Sequence, residues 1–203
     1  MKKMTENFKN FLFVIVLLCF ASNIFATDSK PSLKIVNGEK KVLTLISNNA
    51  NNTNVTIRIF DEQGIGLLKD NIAVDSKFTK SYDLSKLPKG IYEVEIEDDL
   101  SFRKYIVTTT SNTLEIIPNS EEKIFKPMIK LEENLVLFNM LNLKNGEIEL
   151  AFNNEQGNEI YFEKIQNTTT IHKSFDLSKL PSGNYHISVK TKAKVFNLEV
   201  NLK

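Results

Sequence analysis

Asp83-Leu84-Ser85-Lys86-Leu87-Pro88 recurs without change as Asp176-Leu177-Ser178-Lys179-Leu180-Pro181. The match runs outward from both copies. Tyr82 aligns with Phe175, Gly90 with Gly183 and Tyr92 with Tyr185. Upstream, Glu62-Gln63-Gly64 aligns with Glu155-Gln156-Gly157, and Phe60 with Phe152. Further back, Pro31-Ser32-Leu33-Lys34-Ile35 aligns with Pro127-Met128-Ile129-Lys130-Leu131. Self-similarity on this scale marks a tandem repeat. The expected division is 1–26 as a signal peptide, 27–112 as one β-sandwich repeat, 113–125 as a linker and 126–203 as a second repeat.

Each copy reads as strands. After Gly90, Tyr92, Val94 and Ile96 alternate with Glu93, Glu95 and Glu97. After Gly183, Tyr185, Ile187 and Val189 alternate with His186, Ser188 and Lys190, and Phe196, Leu198, Val200 and Leu202 alternate with polar residues to the end. A period of two gives one buried and one wet face. Val42–Ile46, Val55–Phe60, Leu135–Phe138 and Glu147–Phe152 are further strands between turn-forming residues. Gly64 and Gly157 sit where a hairpin reverses and are expected at positive φ. About seven short strands per repeat predict an all-β protein of two tandem Ig-like antiparallel sandwiches.

The repeated hexapeptide is the expected fold signature: Asp83, Leu84, Leu87, Pro88, Gly90 and Tyr92, with Asp176, Leu177, Leu180, Pro181, Gly183 and Tyr185. Asp and Ser bond nearby backbone and Pro ends a strand. The leucine pair plugs the open edge between two sheets. The tyrosine four residues after Pro matches a tyrosine corner, in which the phenol bonds back to upstream backbone.

The order Phe60-Asp61-Glu62-Gln63-Gly64, then Asp83-Leu84-Ser85-Lys86-Leu87-Pro88-Lys89-Gly90-Ile91-Tyr92, then an alternating strand, a turn and a closing strand, resembles the C-terminal sorting domain of the type IX secretion system of Bacteroidetes. The resemblance covers both repeats. It implies an Ig-like sandwich and export across the outer membrane, with the domain as address label. Two copies stand here, where one terminal copy would serve as a label.

The first residues read as a secretory signal peptide. Lys2, Lys3 and Lys9 lead the apolar run Phe11–Phe20, and Ala21-Ser22-Asn23-Ile24-Phe25-Ala26 gives a cut after Ala26. That run is shorter than the ~20 apolar residues of a membrane span, so no stable span is expected after cleavage. Cys19, the only cysteine, follows Leu18, which does not suit lipidation, so the mature chain would fold without disulfides. Removing residues 1–26 leaves 23 basic and 24 acidic residues. That balance, with no basic face, argues against nucleic acid as a partner.

Catalysis is not expected. The two histidines, His172 and His186, fall on the wet sides of their strands and align with Thr79 and Glu93 of the other repeat, so the repeats share no histidine site. Two histidines and no mature cysteine leave little for zinc. The acidic stripe Glu93, Glu95, Glu97, Asp98 and Asp99 reads as a solvated face ending in a hairpin, with Arg103 and Lys104 across it to offset the charge. The second repeat puts His186, Ser188, Lys190 and Lys192 in those places, so the two faces are candidates to meet, within or between molecules. Asn48-Asn49-Ala50-Asn51-Asn52-Thr53-Asn54 is a polar turn. No cofactor is expected. The expectation is an exported, non-enzymatic interaction, adhesion or assembly module of the cell envelope, in the periplasm, on the surface or secreted, with an unidentified protein or envelope partner. The alternative is a type IX cargo whose C-terminal repeat is the sorting signal.

Overall fold

Sixteen strands carry the alternation through the described residues of a computed structural model, which are 32–35, 40–47, 53–74 and 78–203. The expected signal peptide, Cys19 and positions 48–52 of the Asn-rich turn lie outside them. The strands are β1 (Ser32–Ile35), β2 (Val42–Ser47), β3 (Thr53–Asp61), β4 (Gly66–Val74), β5 (Phe78–Asp83), β6 (Gly90–Glu97), β7 (Ser101–Thr109) and β8 (Leu114–Ile116). They continue as β9 (Glu122–Phe125), β10 (Met128–Glu132), β11 (Leu135–Leu141), β12 (Ile148–Asn154), β13 (Glu159–Ile165), β14 (Thr170–Asp176), β15 (Gly183–Lys190) and β16 (Val195–Leu202).

The strands build two sandwiches with the same order. In the first, β1-β2-β5 faces a sheet ordered β4-β3-β6-β7-β8. In the second, β10-β11-β14 faces β13-β12-β15-β16. Every pairing is antiparallel. The fold is an all-β sandwich of the Ig-like kind.

The inward parity of each sheet forms the cores. Leu43 and Leu45 of β2 meet Val55, Ile57 and Ile59 of β3 and Tyr92, Val94 and Ile96 of β6. In the second sandwich Val136 and Phe138 of β11 meet Leu150 and Phe152 of β12 and Tyr185, Ile187 and Val189 of β15. Phe152 stacks on Phe175 and Tyr185, and Tyr161 meets Phe175 edge-on. Gly64 and Gly157 both have φ of 80°, a left-handed conformation that glycine adopts without steric cost. They close like turns, with Gly64 N–H donating to Asp61 O at 3.0 Å and Gly157 N–H to Asn154 O at 2.9 Å.

Two details differ from the sequence reading. Ile59, not Phe60, is the counterpart of Phe152: Ile59 lies opposite Val94, and Phe152 opposite Ile187. Each hairpin has its register shift at that same place, Ile59/Phe60 and Phe152/Asn153, so the offset that aligns Gly64 with Gly157 runs through the bulge without a gap. Residues 113–125, expected as a linker, also contain strands. β8 pairs with Val107–Thr109, and β9 with Ser101–Lys104, all on β7.

Candidate functional site

The repeated hexapeptide makes one local structure twice. Asp83 Oδ1 accepts from Ser85 N–H at 2.9 Å, and Asp176 Oδ1 from Ser178 N–H at 2.9 Å. Those bonds hold both carboxyls below the usual range: for Asp83 the Ser85 side chain leads, for Asp176 the Ser178 backbone. Leu84 N–H donates to Lys41 O and Leu177 N–H to Asn134 O, extending the β2–β5 and β11–β14 ladders into each corner. A turn follows, with Leu87 N–H to Leu84 O and Leu180 N–H to Leu177 O. Leu84 and Leu177 are buried; Leu87 and Leu180 pack half-buried against the same cores. Tyr92 donates to Pro88 O at 2.9 Å, and Tyr185 to Pro181 O at 2.7 Å. Gly90 and Gly183 begin β6 and β15.

The corners differ in one donor. Thr109 Oγ1 also donates to Pro88 O, at 2.8 Å. Gly90 faces Thr109, whereas Gly183 faces Leu202, which has no donor. Among the described residues, Tyr185 is the one side chain bonded to Pro181 O. Lys41 adds a bond absent from the sequence reading: it is buried and donates to Leu87 O at 2.7 Å.

A second shared feature also escaped the sequence. Lys80 pairs with Asp70 at 2.6 Å, and Lys173 with Glu163 at 2.6 Å. Each joins the edge strand of one sheet to the edge strand of the other, β5 to β4 and β14 to β13. Tyr82 and Tyr161 donate to the same carboxylates. Chiefly through its bond to Glu163, the Tyr161 phenol is pushed up to about 12. The lysine-acceptor spacing is ten residues in both repeats, a signal only the paired sheets reveal.

The outer faces diverge. Cross-strand register aligns Lys69, Arg58, Glu95 and Lys104 in one row on the first sandwich. The same row on the second is Phe162, Ala151, Ser188 and Asn197. The acidic stripe is partnered within the fold: Glu93 by Lys104 at 3.2 Å, Glu95 by Arg58 at 3.4 Å, Glu97 by Arg58 at 2.9 Å. Asp98 accepts from Leu100 N–H and Ser101 N–H in the hairpin turn. Arg103 is buried, on the same parity as Tyr105, and from there its guanidinium still offsets the stripe, 3.9 Å from Asp98. His172 is exposed and His186 half-buried. Among the described residues no three His, Cys, Asp or Glu side chains gather to hold a metal, and no helix is long and apolar enough to cross a membrane.

The two sandwiches meet at the β6–β7 hairpin. Glu97 binds Lys126 at 2.8 Å and Lys194 at 3.6 Å. Burial pushes the Glu97 carboxyl up, but the bonds from Lys126 and Arg58 and the nearby lysine charges outweigh it and hold it at about 2. Within the chain, the second-repeat partners of Glu97 are Lys126 and Lys194 and not the expected His186, Ser188, Lys190 and Lys192. Lys190 is held by Glu149 of its own repeat at 3.0 Å. Lys126 N–H donates to Leu100 O, and Lys194 Nζ stands 4.6 Å from the centre of the Phe102 ring.

A family model described as a secretion system C-terminal sorting domain matches the chain twice, over residues 37–108 and 126–200. No curated protein matches it. Among solved structures, the BSP domain of a biofilm associated protein is 12% identical, at a TM-score of 0.29, the match covering 86% of this chain and 29% of that one. The FN1–FN3 domains of chicken CNTN1 are 10% identical at 0.28, covering 85% of this chain and 66% of that one. The receptor tyrosine kinase Torso is 12% identical at 0.25, covering 87% and 74%. The chain thus spans less than a third of the first of these structures and 66% of the second.

Proposed function

The chain belongs to the secretion system C-terminal sorting domain family, and from that premise we propose that it is a type IX secretion cargo whose second repeat, 126–203, acts as the sorting signal. A protein bearing such a domain is secreted or displayed at the cell surface. The observation that carries the reading is the family match over both repeats, which together take in most of the chain. It supports sorting over the adhesion or assembly role expected from the Ig-like architecture alone.

A sorting signal acts by being recognised, so its chemistry lies in surface and shape. The inner scaffold is shared: both corners, both glycine turns and both lysine–carboxylate pairs recur. On this reading the twelve corner residues hold the shape that is read and are structural. The outer faces are what can tell the copies apart. The second repeat's sheet presents half-exposed Phe162 and Ile160 beside Ala151, Ser188 and Asn197, where the first repeat presents an ion-pair network. The role is non-enzymatic.

The test is export in a cell with the type IX machinery. The full chain and a form ending at Phe125 are produced, and surface, medium and periplasm are fractionated. Periplasmic retention of the shortened chain supports sorting by the second repeat. Unchanged export overturns it.

A further inference from the structure

We propose that the β6–β7 hairpin is a folding interlock: the second sandwich completes its core with Phe102, a residue of the first, and so forms only when the first is folded. The consequence for export rests on the sorting reading above: the address would become legible only once both repeats have folded.

Strand parity is the starting point. On β7, Ser101, Arg103, Tyr105, Val107 and Thr109 all face inward and are buried. Phe102 shares the opposite face with Lys104, Ile106 and Thr108, each half-exposed. Its own sandwich therefore cannot bury it. Yet Phe102 is 0% exposed, and it clusters with Val136, Phe138, Ile148, Ile187 and Phe196 of the second sandwich. The first sandwich's cluster does not contain it. Ile124, opposite Phe102 on β9, packs on the same foreign core. The first repeat's sheet thus supplies two apolar plugs to the neighbouring sandwich.

The register counterpart of Phe102 in the second repeat shows what that hairpin position otherwise looks like. Phe102 faces Glu97, and Val195 faces Lys190 in the same place. Val195 is 49% exposed. Polar contacts then lock the plug. Lys194 lies over the Phe102 ring and pairs with Glu97, which also holds Lys126. A cation over an aromatic face gains strength when partly desolvated. Domains joined only through polar surface move independently by default. A side chain shared with a core couples them, because its loss leaves a cavity on the other side of the joint.

Amide hydrogen exchange on the full chain tests this. Phe102→Ala should speed exchange of the most protected amides of β12 and β15, in the second repeat, by about a hundredfold, since those amides open with the cooperative unit they belong to. Phe102→Leu, which keeps most of the apolar volume, should give a smaller rise and carries the test if the alanine variant does not fold. Ile106→Ala, on the same face of β7 but outside the shared cluster, should leave the second repeat unchanged. Acceleration confined to β6 and β7, or an equal effect of Ile106→Ala on the second repeat, overturns the interlock. The export clause is read separately, by fractionating cells that make Phe102→Leu. Normal export despite accelerated exchange in β12 and β15 removes that clause and leaves the interlock standing. Failure of the sorting reading itself would show in the chain ending at Phe125 and would not alter the exchange result.

Discussion

Tyr185→Phe should destabilise the protein more than Tyr92→Phe, although both remove one phenol from the same corner. The difference follows from the acceptors. Pro88 O receives Tyr92 at 2.9 Å and Thr109 at 2.8 Å, so losing the phenol leaves it bonded. Pro181 O receives Tyr185 at 2.7 Å, and its neighbour in the Thr109 position is Leu202. An intramolecular hydrogen bond contributes about 1 kcal/mol net, and more is lost when a partner is left without a bond. Both prolines are exposed, so water can reach the carbonyl and limits the loss. Tyr185→Phe is therefore expected to cost about 1–1.5 kcal/mol and Tyr92→Phe about 0.5 kcal/mol. In a unit of this size that is a Tm drop of roughly 3–5 °C against 1–2 °C. Urea denaturation followed by far-UV circular dichroism reads both. Thr109→Val supplies the control, because combined with Tyr92→Phe it strips Pro88 O of both donors. The pair should cost more than the sum of the singles, by about 0.5–1 kcal/mol. Equal costs for the two tyrosines, or additivity at Thr109 and Tyr92, would refute the reasoning.

Glu97→Gln should flatten the acid side of the stability curve. The Glu97 carboxyl falls from its ordinary 4.5 to about 2 on folding, so its contribution is present above pH 4.5 and lost as pH drops toward 2; acid titration of unfolding compares the two proteins. Leu177→Ala, at 2% exposure, should cost about 2–5 kcal/mol by opening a cavity at the corner, visible as a lower urea midpoint with an unchanged slope. Gly64→Ala and Gly157→Ala should each cost about 1 kcal/mol through backbone strain alone, because φ is 80° while nothing stands within 4 Å of the added Cβ; unequal costs would point to packing instead. Lys173→Met should change stability by under about 1 kcal/mol, as the ion pair it makes with Glu163 is a third exposed.

The sandwiches were legible because their inward residues alternate without interruption, as in Tyr92, Val94, Ile96 and Tyr185, Ile187, Val189. The corner was legible because it repeats letter for letter. What escaped the sequence has one physical origin: parity is local, and partners are not. Phe102 sits at wet-face parity, so a strand pattern assigns it to solvent; its burial depends on a neighbour far along the chain. Arg103 lies across the acidic hairpin, as its place in the sequence suggests, but the register puts it opposite Ile96 on the buried side, where it reaches Asp98. Phe60 and Phe152 match only in residue type: the ungapped offset that aligns Gly64 with Gly157 pairs Phe152 with Ile59, and both hairpins bulge at that same point. The Lys80–Asp70 and Lys173–Glu163 pairs join strands of different sheets, which no periodicity connects.

β9 has a consequence for distance. A free linker of a dozen residues would let one repeat wander about 20 Å from the other. Here the chain between the repeats is bonded along β7 to Phe125, and only Lys126 and Pro127 lie between β9 and β10. The three steps from Phe125 to Met128 reach no further than about 11 Å, and Lys126 is itself fastened to Leu100 O. The pair behaves as a ruler of fixed length. A receptor that engaged one repeat would find the other at a constant offset, and a change of spacing would require β9 to peel away from β7 first.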